Sequence, residues 1–213
     1  MTETSDPGED EVDDLIAALD RASRVVADAD LRDAAAHVVE LRRGLDAPVA
    51  EVWDACTDPE RVRRWFLPLS GDLRPGGTFQ LEGNAGGAIT TCEPPRRLEL
   101  TWQFGDTEPS LVSLELTAAG EDRTELVLRH TVPDDDHWAQ FGPGAVGVGW
   151  EGGLSGLAAF IAGEGRSTDP QSMAAFMRRS ADLWGAAHEA AGAAPAVAAD
   201  AAARTSAFYA PAQ

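Results

Sequence analysis

Residues 98–104 read LELTWQF and residues 111–117 read LVSLELT, and both alternate with a period of two. Leu98, Leu100, Trp102 and Phe104 oppose Glu99, Thr101 and Gln103, while Val112, Leu114 and Leu116 oppose Ser113, Glu115 and Thr117. A strand with one apolar and one polar face belongs to a sheet covered on one side only, which is the antiparallel habit. Three further short runs, residues 78–82, 88–92 and 124–132, are separated by Gly- and Pro-containing stretches at 83–87, 94–95, 105–109 and 119–122. They complete a series of five strands. In the last run Leu126, Leu128, His130 and Val132 share the face predicted to be covered.

Upstream, AHVVELRRGL at residues 36–45 reads as another strand, ended by Asp46 and Pro48. Two short helices follow at once. The first runs from Pro48 through Val49, Val52, Trp53 and Cys56, and the second covers residues 59–66. Downstream, Val146, Trp150, Leu154, Leu157 and Ile161 keep helical spacing within residues 141–163, and glycines at 147, 149, 152, 153 and 156 predict close backbone approach to the sheet. After the linker GRSTDP, helices are predicted over residues 171–191 and 195–209. The first carries Met173, Phe176, Met177, Leu183 and Trp184 on one face, an apolar stripe that has to dock on the main domain or at a two-fold interface. Near the start, Val12, Leu15, Ile16, Leu19, Ala22 and Val26 predict an amphipathic helix over residues 12–28. The expected organisation is a disordered acidic tail (1–11), that helix, an α+β domain (33–163) and a helical extension (164–213).

The chain of 213 residues holds 36 acids against 17 cations, a formal charge of -19, and every cation is Arg. Without Lys, Schiff-base chemistry, a phosphate-loop lysine and a lysine base are all excluded. The first 14 residues contain seven acids and no base, and residues from 166 onward are neutral, so the remaining excess sits on the main domain. Such a surface repels phosphate backbones and anionic lipid, which makes nucleic acid and membranes poor partners. Two cysteines make no disulfide framework, and the acidic N-terminus is unlike a signal peptide, so the expected location is the cytoplasm.

VWDACTDPERVRRWF at residues 52–66, Gly76-Gly77-Thr78-Phe79, CEPPRRLELTW at 92–102, His130, and Gly149-Trp150 with Leu154 and Leu157 occur in the order seen in one bacterial family. Over residues 35–163 the chain resembles the family named for activators of the heat-shock protein 90 ATPase, within the START-related, birch-pollen-allergen-like helix-grip superfamily. The resemblance implies a curved antiparallel sheet wrapped around a long helix, an apolar cavity between them, and for some relatives chaperone stimulation or small-molecule chemistry. A fold of this kind hosts many activities, so function has to be argued from the site.

The residues expected to line that cavity are Trp65, Phe79, Leu81, Trp102, Leu114, His130, Trp150 and Leu154. His130 among apolar neighbours suits the single polar group that orients a ligand. The expected function is non-catalytic binding of a small, largely apolar molecule. The alternatives are a chaperone-interacting module and a cyclase- or hydrolase-type cavity enzyme using His130 with a carboxylate from another strand. No catalytic residue, metal ligand or cofactor is assigned: no GxSxG, HExxH or CxxC occurs, and Asp134-Asp135-Asp136-His137 reads as a solvated loop. Cys56 reads as a packing residue, and Arg96-Arg97 as exposed ion-pair material. The added helices are expected to cover the cavity mouth, the outer sheet face or a second subunit in a homodimer.

Overall fold

The computed structural model describes residues 7–164 and 169–211. Its elements are α1 (Pro7–Asp20), β1 (Ser23–Leu31), β2 (Ala34–Leu45), α2 (Val49–Thr57), α3 (Pro59–Trp65), β3 (Leu69–Gly71), β4 (Thr78–Leu81) and β5 (Gly86–Glu93), followed by β6 (Arg97–Trp102), β7 (Ser110–Gly120), β8 (Arg123–Pro133), α4 (Asp136–Phe141), α5 (Gly144–Ile161), α6 (Pro170–Ala190) and α7 (Pro195–Tyr209). The strands form one antiparallel sheet, in the order β1-β2-β8-β7-β6-β5-β4-β3, that curves around α5. The α+β helix-grip class read from the sequence is the fold observed.

The helix expected over residues 12–28 ends at Asp20, and residues 23–28 belong to β1. β1 pairs with β2 residue for residue over its whole length, and a two-residue turn at Arg32 and Asp33 closes the hairpin with φ of 53° and 65°. A tight hairpin of this hand needs positive φ at both central residues, and Arg-Asp lacks the Asn-Gly signature that announces it. The spacing that suggested another helical turn at Val26 is equally a period of two over Arg24, Val26 and Asp28, and the ladder with β2 decides for strand. The tail predicted disordered is helical from Pro7 onward, while residues 1–6, like 165–168 of the linker, lie outside the described residues. Phe104, expected on the covered face, lies beyond the end of β6 and is exposed.

Register places the inner-face side chains in rows. Val26, Val39, His130, Val112 and Leu100 form one, and Arg24, Leu41, Leu128, Leu114, Leu98 and Cys92 the next. Over β2 and β8 this face is closed by Val148, Leu154 and Leu157 of α5, all buried. On the opposite face Glu40 accepts from Arg42 and from Arg129, each at 2.6 Å, and Arg129 reaches Glu115 at 2.9 Å. Ion pairs therefore tie β2, β8 and β7 across the outer surface.

The glycines of α5 correct a second expectation. They were read as letting the helix approach the sheet; instead several open it to the C-terminal extension. A Cβ at Gly147 would fall inside the Trp184 ring, one at Gly144 would lie 2.7 Å from Thr205 Oγ1, and one at Gly153 would lie 3.3 Å from Phe66 of α3's C-cap. Trp184 is fully buried and has no room to retreat. The stripe of α6 accordingly docks within the chain, with Phe176, Ala181 and Trp184 buried. Gly147→Ala is expected to lower unfolding free energy by up to about 2 kcal/mol, since overpacking costs about 1–3 kcal/mol against a helix-propensity gain of about 1 kcal/mol. A urea titration that finds the variant more stable would show that Trp184 is free to move.

A polar lock joins the same elements. The buried Glu151 of α5 pairs with Arg24 of β1 through Oε1 and accepts from Ser180 of α6 through Oε2. Arg24 also donates to the carbonyls of Leu19 (3.0 Å) and Ala22 (3.2 Å), which pins the end of α1.

Candidate functional site

Toward β5 and β6 the inner face changes character. Leu41 and Leu126, under the middle of α5, are at most 1% exposed, whereas Leu98, Leu100 and Trp102 remain half-buried, as do Phe66 and Trp150 facing them from α3's C-cap and α5. An arc of rings runs through this region. Trp65 stacks on Phe66 (centroids 5.4 Å apart), Phe66 on Trp150 (6.2 Å), Trp150 packs on Trp102 (4.9 Å), and Trp102 on Phe79 of β4 (5.8 Å). His130 meets both Trp102 (6.1 Å) and Trp150 (6.0 Å) edge-on. Offset and edge contacts of this kind are the favoured geometries of aromatic pairs.

His130 is wired at both nitrogens. The Trp150 indole, which only donates, gives its Nε1–H to His130 Nδ1 at 3.1 Å. The imidazole proton is therefore on Nε2, which donates to Ser110 Oγ at 2.7 Å, and Ser110 in turn donates to the Trp102 carbonyl at 2.9 Å. Burial pushes the His130 pKa down to about 3, so the ring is neutral. With Nδ1 already accepting, no lone pair remains for a general base, and the cavity-enzyme alternative loses the proton acceptor it relied on. The network instead fixes Trp150 of the helix to the centre of the sheet.

All eight sequence-predicted cavity residues lie between the sheet and its covering helices, but they divide in two. Trp65, Leu114 and Leu154 belong to the main core, with the Trp65 indole donating to the Ala55 carbonyl at 2.9 Å. Phe79 and Leu81 form a smaller cluster with Ile89, and Phe66, Cys92 and Leu98 touch both clusters. Sequence reasoning missed Phe66 and Ser110. The period of two that marks Val112 and Leu114 as inner extends back to Ser110, and would have exposed it as the partner of His130.

Cys56 falls where the packing reading put it, whereas Asp134 to His137, read as a solvated loop, is corrected: Asp136 and His137 open α4. Burial raises the Cys56 thiol to about 12, which removes its nucleophilicity. Asp135, read as part of a loop, caps α4 by accepting from Trp138 N at 2.9 Å. Among the described residues no group of three or more His, Cys, Asp and Glu side chains is placed to hold a metal ion, and no helix is long and apolar enough to cross a membrane.

Comparison with known proteins agrees with the fold. The pattern describing the Activator of Hsp90 ATPase homolog 1-like protein family matches residues 46–162. Among solved structures, the crystal structure of CalU16 from Micromonospora echinospora is 40% identical with a TM-score of 0.68, covering 78% of this chain and 97% of its own. DynU16, a putative protein in the dynemicin biosynthetic locus, is 27% identical with a TM-score of 0.53, covering 59% and 47%. An HSP90 activator from Plasmodium falciparum is 23% identical with a TM-score of 0.52, covering 61% and 99%, and shares the fold. Comparison with curated proteins finds no match.

Proposed function

We propose that this chain, which belongs to the Activator of Hsp90 ATPase homolog 1-like family, binds a small, largely apolar molecule between the β5–β6 side of its sheet and α5. One observation carries the reading: Phe66, Trp150 and Trp102 pack in a row of rings that stays half-buried, as do Leu98 and Leu100 beside it, whereas Leu41 and Leu126 under α5 are closed off. Ligand sites are mostly apolar with few polar groups. Here the polar groups, His130 and Ser110, satisfy each other, so the ligand is held by ring faces. Trp102, Trp150, Phe79 and Leu81 would contact it, His130 would hold Trp150 in place, and Trp65, Leu114 and Leu154 would form the wall behind. A relative from a biosynthetic locus supports a specialised metabolite as the natural occupant. The domain expected over residues 33–163 would be the binding unit, completed by β1. Two free cysteines support a reducing compartment such as the cytoplasm.

Titration with the neutral fluorophore N-phenyl-1-naphthylamine tests the site. Saturable binding with quenching of tryptophan emission is expected, weakened about tenfold by Trp102→Ala, because loss of one ring contact is worth about 1.5 kcal/mol. Unsaturable binding, or binding indifferent to Trp102→Ala, counts against it. The family's description favours a second reading, contact with a heat-shock protein 90-type chaperone. With the α6 stripe docked inside the chain, a homodimer through the added helices would rely on the exposed Val197 and Phe208 of α7.

A further inference from the structure

Most arginines of this acidic chain have a carboxylate partner, but two that lie near one another do not. Arg43, on the inner face of β2, makes one side-chain hydrogen bond, from Nη1 to the neutral Ser155 Oγ of α5 at 3.0 Å. Arg21, exposed between α1 and β1, has no hydrogen-bond or ion-pair partner among the described residues. Between them stands Arg24. Its register partner Leu41 is two residues from Arg43 on the same face, so the two guanidinium stems are diagonal neighbours on adjacent strands. Glu151, its oxygens engaged by Arg24 and Ser180, offsets one positive charge of the group and leaves the others uncompensated. Arg24 itself keeps a buried Nε–H without a partner. Among the described residues, three guanidiniums thus share one carboxylate at a single corner of a molecule whose formal charge is -19.

We propose that this corner, where α1 gives way to β1 and β2 ends beside α5, is an anion-binding site in which Arg43 and Arg21 hold a carboxylate or phosphoryl group of a small ligand. A guanidinium presents a planar fork that matches both groups, and the matching hydrogen bonds are strengthened by charge. Burial, together with the positive charge of Arg21 and Arg24, already weakens the hold of Arg43 on its proton, with Glu151 opposing. An added anion would offset the repulsion among these guanidiniums. The overall charge disfavours large polyanions, so a small ligand fits where a nucleic acid does not.

Arginine Nε–Hε resonances of the full chain, followed by NMR, provide the test, with sodium phosphate in one titration and sodium acetate in another at constant ionic strength. Saturable shifts at Arg43 and Arg21, with exposed Arg96 unmoved, are expected. Response to phosphate alone assigns a phosphoryl group, response to acetate alone a carboxylate, and response to both the shared anionic chemistry. Arg43→Gln, read at Arg21, should weaken binding at least about tenfold, as the loss of a charged hydrogen bond of about 1.5–3 kcal/mol implies. Arg21→Gln, at an exposed position, should weaken it in the same direction when read at Arg43. Shifts that do not saturate, that appear equally at Arg96, or that survive both substitutions would overturn the proposal.

Discussion

Replacing Glu151 by Ala is expected to destabilise the fold by about 3–5 kcal/mol, the loss that follows removal of one partner from a buried ion pair. Glu151 is 2% exposed, and its removal leaves Arg24 in the interior without a carboxylate, held by the carbonyls of Leu19 and Ala22 and by the face of the Trp184 ring. Ser180 would lose its acceptor in the same step. Because the lock connects β1, α5 and α6, the damage should be widest in the C-terminal extension, read as loss of the near-ultraviolet signal of Trp184 at lower urea than in the parent. A double replacement, Arg24→Met with Glu151→Leu, should recover most of the loss, since an apolar pair of similar size often equals or exceeds a buried ion pair. A single variant within about 1 kcal/mol of the parent would mean that water reaches the pair.

The second large effect concerns acid. His130 titrates near 6.5 in the unfolded chain and at about 3 in the folded one, because burial penalises its charged form. Between those values the unfolded chain binds the extra proton, so this contribution to stability is full above about pH 6.5 and is lost as pH falls toward 3. The slope approaches about 1.4 kcal/mol per pH unit. His188, also lowered by burial and then by His37, works in the same direction in every variant and cancels in a comparison. The stability of the parent minus that of His130→Gln should therefore shrink as pH falls from 6.5 to 4.5. Parallel curves for the two proteins would show that His130 is solvated or already charged in the fold.

Much of the architecture was legible because it is written in local periods. The alternation at residues 98–104 and 111–117 marks β6 and β7, and the proline placements at 48 and 59 mark the starts of α2 and α3. β1 was not legible. Its inner face carries Arg24, Asp28 and Asp30 with Val26 as the one apolar residue, the reverse of an apolar covered face, its edge position is fixed by pairing with β2, and its turn uses Arg32 and Asp33. The glycines of α5 show the same limit: a sequence records that a helix face is bare, and only packing shows that Trp184 and Thr205, rather than the sheet, press against it. At the site, the inner position of Trp102 and His130 followed from strand parity. The bond from Trp150 to His130 and the lock at Glu151 join residues far apart in sequence, and no spacing announces either.

Native mass spectrometry of the full chain purified from its own host tests the central claim most directly. Ligand binding predicts a protein mass carrying one additional small molecule, released on denaturation and reduced in occupancy by Trp102→Ala. A chain that arrives unliganded at its bare mass and accompanied by a heat-shock protein 90-type chaperone would contradict it, and would move the function from the aromatic interior to the surface.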